Sequence, residues 1–214
     1  MPTAPESMHW TDHDVDPIRV RDPVAEALGV LDPGDPFVVT YRDVVKAAGH
    51  SCPTAAGSYR MTQLAFDELY PDELPVRSQV AVVAGGPKDD IKYGVTAQLI
   101  SYVTGAAEED GFGGLAGGYG GRADLLSFDP IEGEGVTFAF GRTDTGDAVE
   151  VTYDVPSVPD IGPAAQHLEA IVEESATDED RTAFQEAWHS RVAAVFENDD
   201  LFAVEATDRP MPRT

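Results

Sequence analysis

The residues best suited to chemistry lie in "AAGHSCPTAAGSYRM", residues 47–61. This stretch holds the only cysteine, Cys52, with His50 two positions before it and Pro53 directly after. A helix is expected to begin at Pro53, where the missing N–H costs nothing. Cys52 then stands at the helix N-terminus, where free N–H groups and the helix dipole favour a thiolate over a thiol. An imidazole two residues away can share a metal ion or a proton with that sulfur. The string therefore supports two active chemistries. One is a pair of metal ligands. The other is a nucleophilic or redox thiol with His50 as its base. A third reading needs no chemistry: Cys52 is a small buried hydrophobe and His50 a polar turn residue.

A single cysteine excludes an internal disulfide, a CxxC redox pair and a Cys-rich zinc ribbon. A site for zinc or another divalent transition metal would need further ligands from His, Asp, Glu, water or a second subunit. His9 and His13 in "HWTDHD" are candidate recruits, with Asp12 and Asp14 beside them, although the segment reads as an N-terminal arm. His167 and His189 read as helix-surface or interface residues. The loop "GFGGLAGGYGGR", residues 111–122, carries seven glycines and ends in Arg122. Backbone N–H groups in such a loop can cradle an anion, which makes Gly117, Gly118 and Arg122 candidate cofactor-binding residues, or parts of a lid over a Cys52 cleft. The loop lacks a GxxxxGK[ST] string and does not join a strand to a helix. Asp89, Asp90 and Lys92 read as capping and solvated charges.

Several elements must position these groups. A short helix is expected within residues 22–31, closed by "DPGDP". A second starts after Thr40, with Asp43 three residues on in a capping-box arrangement, and stops at Gly49. The helix from Pro53 carries Gly57, Met61, Leu64, Ala65 and Leu69 as its apolar stripe. Residues 76–86 read as a buried strand and residues 89–106 as a helix. Three strands follow the Gly-rich loop, the last two joined by the turn "RTDTGDA". Two helices, near 163–175 and 178–197, precede a closing strand in "DLFAVEA". The later helix carries Phe184, Trp188, Val192 and Val195 at helical spacing, a stripe suited to a partner subunit. Helices first, consecutive strands next and helices last point to an α+β fold. Its sheet is expected to be antiparallel or mixed, with helices on one face and C-terminal helices added. The expected divisions are an arm and short helix over 1–30, a core over 31–156 and a helical extension over 157–214.

Lys and Arg number 14 against 39 Asp and Glu, a net charge of −25. The acids run from end to end. Such a coat suits a cytoplasm with multimolar salt, where screening lengths shrink to a few ångströms, and so suggests a halophilic source. It argues against nucleic acid and anionic membranes as partners. No stretch approaches the roughly 20 apolar residues of a membrane helix, and the polar, acidic start does not read as a signal peptide. A cytoplasmic protein is expected.

The string "AGHSCPTAAGSY" resembles the FmdE-like proteins, named for a component of formylmethanofuran dehydrogenase. Their mark is His-Gly-His-x-Cys-Pro-Gly followed by a helix with Gly and Tyr. Gly49, His50, Cys52, Pro53, Gly57 and Tyr59 match. "QLISYVTGA" and "GYGGRADLLSFDP…VTFAFGRTDTGDAVEVTY" resemble later family segments, so the likeness spans about residues 36–196. Ala48 stands at the family's first histidine, Thr54 at its glycine and Gln98 at its helix aspartate, and its later cysteines are absent. The resemblance implies a metal site between helix and sheet, of which His50 and Cys52 carry over. It also implies a homodimer and a role in metal handling or beside a molybdenum or tungsten enzyme, within a larger oxidoreductase complex. The alternatives are a small-molecule enzyme using Cys52 and His50, or a metal-free assembly subunit.

Overall fold

The computed structural model describes residues 8–213. Two short strands, β1 (Ile18–Val20) and β2 (Phe37–Val39), pair antiparallel with Ile18 opposite Val39. Between them stands α1 (Pro23–Ala27), whose first N–H groups are capped by Asp22. This helix is shorter than the sequence suggests, and Gly29 follows it in the left-handed region. α2 (Tyr41–Ala48) opens on the Thr40–Asp43 capping box and closes on left-handed Gly49, as the sequence indicates. α3 (Pro53–Leu69) follows with Cys52 as its N-cap.

The main sheet is mixed, which bears out the α+β reading. Its strands are β3 (Val80–Ala84), β4 (Leu126–Phe128), β5 (Val136–Arg142), β6 (Ala148–Tyr153) and β7 (Phe202–Ala206), in the order β4-β3-β5-β6-β7. Only β3 and β4 run parallel within it. A parallel pair needs a long crossover. α4 (Ile91–Thr104), capped by Asp90, and the Gly-rich loop supply it. The C-terminal segment holds α5 (Leu168–Val172) and α6 (Asp178–Glu197), then adds β7 to the edge of the sheet. No helix among the described residues is long and apolar enough to cross a membrane.

Two contacts seat α3, and a third packs the C-terminal segment on the sheet. Gly57 on α3 lies so close to the Tyr153 ring that a Cβ there would come within 2.4 Å of it. Tyr153 is itself stacked on Phe202, with centroids 4.9 Å apart. Two residues on, the fully buried Tyr59 gathers the N-terminal strands. Its hydroxyl accepts from Ile18 N–H at 3.2 Å and lies 3.0 and 2.9 Å from the carbonyl oxygens of Asp16 and Val39. Burial raises that phenol to a pKa of about 12, so it stays protonated. From the other side of the sheet Met211 packs over Gly141.

The stripe on α6 is buried at one end and half-exposed at the other. Val192 and Val195 are fully buried in the chain's own core, and Trp188, stacked with Phe184, packs against it. The 3.6-residue period marks a face whose C-terminal half, Val192 and Val195, meets the chain's own core, while Phe184 and Trp188 stay half-exposed.

Replacing Gly57 by Ala sets two effects against each other. Helix propensity alone stabilises by about 1 kcal/mol. Overpacking against Tyr153 costs about 1–3 kcal/mol. We expect the clash to win, lowering the denaturation midpoint at matched salt, and Gly57→Val to lower it further. A Gly57→Ala protein more stable than wild type would mean that α3 does not rest on Tyr153.

Candidate functional site

The turn joining α2 to α3 is held from three sides. Gly49 adopts φ +78°, which suits the helix exit and favours glycine. His50 is exposed, with Nδ1 3.1 Å from the Ala48 carbonyl. Ser51 is buried, and its hydroxyl lies 2.9 Å from the Tyr41 hydroxyl of α2. The Trp188 indole of α6 donates to the Ser51 carbonyl at 2.8 Å. From β6, the Tyr153 hydroxyl donates to the Pro53 carbonyl at 3.3 Å. Burial pushes the phenols of Tyr41 and Tyr153 well above their ordinary range, so both remain neutral hydrogen-bonding groups.

Cys52 lies inside this enclosure, 8% exposed, with an extended backbone. Its sulfur accepts the Ala55 N–H at 3.4 Å, and its carbonyl accepts the Ala56 N–H at 3.0 Å. The thiol thus serves where Ser or Asp usually caps a helix. His50 and Cys52 differ sharply in setting: one ring is in solvent, the other side chain is buried.

The other candidate ligands lie elsewhere. His9 is exposed. His13 packs against Tyr41 and Phe196, with centroids 5.4 and 4.8 Å away. A zinc-type site needs three or four donors around one point. No group of three or more His, Cys, Asp or Glu side chains among the described residues could hold a metal ion. The donor set does not fit the metal that the resemblance implies.

The Gly-rich loop is built onto α1. A Cβ on Gly120 would meet the Val24 side chain, and Arg213 donates to the carbonyls of Gly121 and Ala123. Arg122 pairs with Asp22, which is 2% exposed, while Arg77 approaches the same carboxylate at 3.7 Å. Asp22 also caps α1 through Val24 and Ala25 N–H. Arg122 therefore ties the loop to α1. Gly117 and Gly118, both left-handed, lie exposed on its outer turn. The loop is thus bonded to α1 and to the C-terminal segment.

Sequence reasoning missed Tyr41, Ser51 and Tyr153 as neighbours of Cys52. The only available signal was indirect: a glycine inside α3 and a tyrosine ending a strand, both far apart in the chain. It also missed the partnership of two histidines. His189 stacks flat under Trp10, with centroids 4.9 Å apart, and lies near enough to His13 to feel its charge. His13 Nε2 and His189 Nδ1 are buried atoms without hydrogen-bond partners.

A family model described as "FmdE, Molybdenum formylmethanofuran dehydrogenase operon" matches residues 47–203, well over half of the chain. No match is found among curated proteins. The matched span begins just before the Cys52 turn and ends within β7, so it takes in α3, β6 and α6 around the thiol.

Burial lowers the pKa of both His13 and His189. For His13 the Trp10 carbonyl, Glu197 and Asp12 oppose the shift; for His189 the charge on His13 adds to it. A histidine with a folded pKa below its unfolded value gives stability that is complete above the unfolded pKa, about 6.5, and is lost as pH falls through the folded value. The acidic coat sheds repulsion over the same range, so the comparison must be internal. Against His13→Gln/His189→Gln, wild type should lose thermal stability as pH falls from about 7.5 to about 5. Parallel pH profiles would show that these rings are not held neutral.

Proposed function

The chain belongs to the FmdE family, and we propose from that footing that it is a metal-free assembly subunit working beside a larger oxidoreductase. The observation that carries this reading is the fate of Cys52. The one cysteine sulfur is buried as a helix cap in a turn whose Ser51 and Pro53 carbonyls are held by Trp188 and Tyr153, while His50 stands in solvent. Neither ligation nor nucleophilic attack suits a sulfur so placed, because each needs an open approach to it. The family's description, which places its members in a molybdenum formylmethanofuran dehydrogenase operon, supports an oxidoreductase as the partner.

Homodimer formation belongs to the same proposal. Leu168 and Val172, one turn apart on α5, are 48% and 74% exposed and supply apolar surface for association. The acidic coat suits this assembly to a cytoplasm with multimolar salt, where like charges on two subunits are screened.

Native extract fractionated at high salt provides the test. The chain should co-migrate with a molybdenum- or tungsten-containing enzyme, and Cys52→Ser should co-migrate equally. Untagged protein dialysed against a weak chelator should hold far less than one transition metal per dimer. A chain that migrates alone would count against assembly. Stoichiometric metal, lost in Cys52→Ser and His50→Ala, would restore the metal reading.

A further inference from the structure

The residues before β1 cross α6 as an arm gripped at two points. Trp10 lies flat on His189, with centroids 4.9 Å apart. His13 packs on Phe196, with centroids 4.8 Å apart, and meets the Tyr41 ring of α2 at 5.4 Å. His189 and Phe196 stand seven residues apart on α6, about 10 Å along the helix. Three residues of open chain, Trp10 to His13, can reach that far. Each grip sets a ring of the arm on a ring of α6, and each includes a histidine. Trp10 holds φ +61°, a conformation that a bulky residue keeps only where its surroundings enforce it.

Charge on the histidines would undo both grips. Both nitrogens of a protonated imidazole are donors. His13 Nε2 and His189 Nδ1 are buried atoms without hydrogen-bond partners, so each charged ring would bury an unsatisfied N–H. The ionisable groups facing His13 are Asp12 on the arm, Glu197 and His189 on α6, and Tyr41 on α2; His189 faces His13. Tyr41 stays neutral. Burial outweighs Asp12, Glu197 and the Trp10 carbonyl, which favour a charged His13, and His13 opposes charge on His189. Among the described residues, neither ring belongs to a cluster of three donors that could hold a metal ion.

The arm ends in a clamp that acid does not touch. The Asp16 carbonyl accepts from the Gln63 amide and lies 3.0 Å from the Tyr59 hydroxyl. Gln63 does not titrate, and the Tyr59 phenol stays protonated.

We propose that the arm is an acid-released strap: protonation of His13 and His189 frees residues 8–15 from α6 and α2, while Asp16 stays clamped and the core stays folded. Away from α6 both rings return to an ordinary pKa of about 6.5. Below that value each unit fall in pH favours the free arm by up to about tenfold per ring. Release uncovers Phe196 and Tyr41, whose hydroxyl lies 2.9 Å from that of Ser51 in the Cys52 turn.

Fluorine NMR of the full chain labelled with fluorotryptophan tests the strap. The chain has two tryptophans, so Trp10→Phe assigns both signals. Spectra are recorded in multimolar KCl, where the acidic coat is screened. As pH falls from about 7.5 to about 5, the Trp10 signal should pass to its unfolded position while the Trp188 signal stays in place. In His13→Phe/His189→Phe, which keeps both rings and loses both protonation sites, the Trp10 signal should stay at its folded position throughout. Should that double variant fail to fold, His189→Phe alone should make the transition less steep in pH. A wild-type Trp10 signal that keeps its folded position to about pH 5, or one that moves as far and as steeply in the variants, would overturn the proposal.

Discussion

How closely α3 can approach the sheet is set by one pair, Gly57 and Tyr153. With hydrogen in place of a side chain, the helix rests on the tyrosine ring, and the ring is braced from behind by Phe202. The same tyrosine reaches the Pro53 carbonyl with its hydroxyl. One residue therefore fixes both the height of the helix above the sheet and the position of its first turn. Everything around Cys52 follows from that placement. Tyr41 and Trp188 can reach Ser51 because the start of α3 is held where their side chains end.

The net charge of −25 raises a further question: how does a chain so acidic hold its loops? It places its few guanidinium groups where each serves more than one element. Arg77 and Arg122 share Asp22, which itself caps α1. Arg142 lies over Tyr70, bonds Glu73 and Asp144, and reaches the Leu69 carbonyl. Arg191 lies over Trp188 and bonds the Pro159 carbonyl, tying the segment before α5 to α6. Half-buried pairs of this kind are screened less by salt than exposed ones. They keep their geometry in conditions that quiet the acidic surface.

Much of the fold was legible in the sequence because its signals are local. Thr40 with Asp43, Pro53 after Cys52, and Gly146 in the hairpin turn each act within a few residues, and each element formed where its signal stood. β1 and β2 escaped notice because three residues give too little alternation to read; they exist because Tyr59 supplies partners for their backbone. The candidate site was legible only as a string. Cys52 does begin a helix, as its neighbours indicate, but whether a thiol is open or covered depends on residues about 100 and 136 positions later. No local pattern encodes that closure. The α6 stripe shows the same limit: periodicity marks a buried face without saying which surface buries it.

The central claim is that Cys52 is a covered structural cap. Its alkylation rate with iodoacetamide in native protein at multimolar KCl, compared with the rate in denaturant, tests this most directly. The account predicts strong protection in the native state, lost to a large extent in Trp188→Ala, where the indole no longer holds the Ser51 carbonyl of the turn. A native thiol that reacts as fast as the unfolded one would contradict it and reopen both the metal and the nucleophile readings.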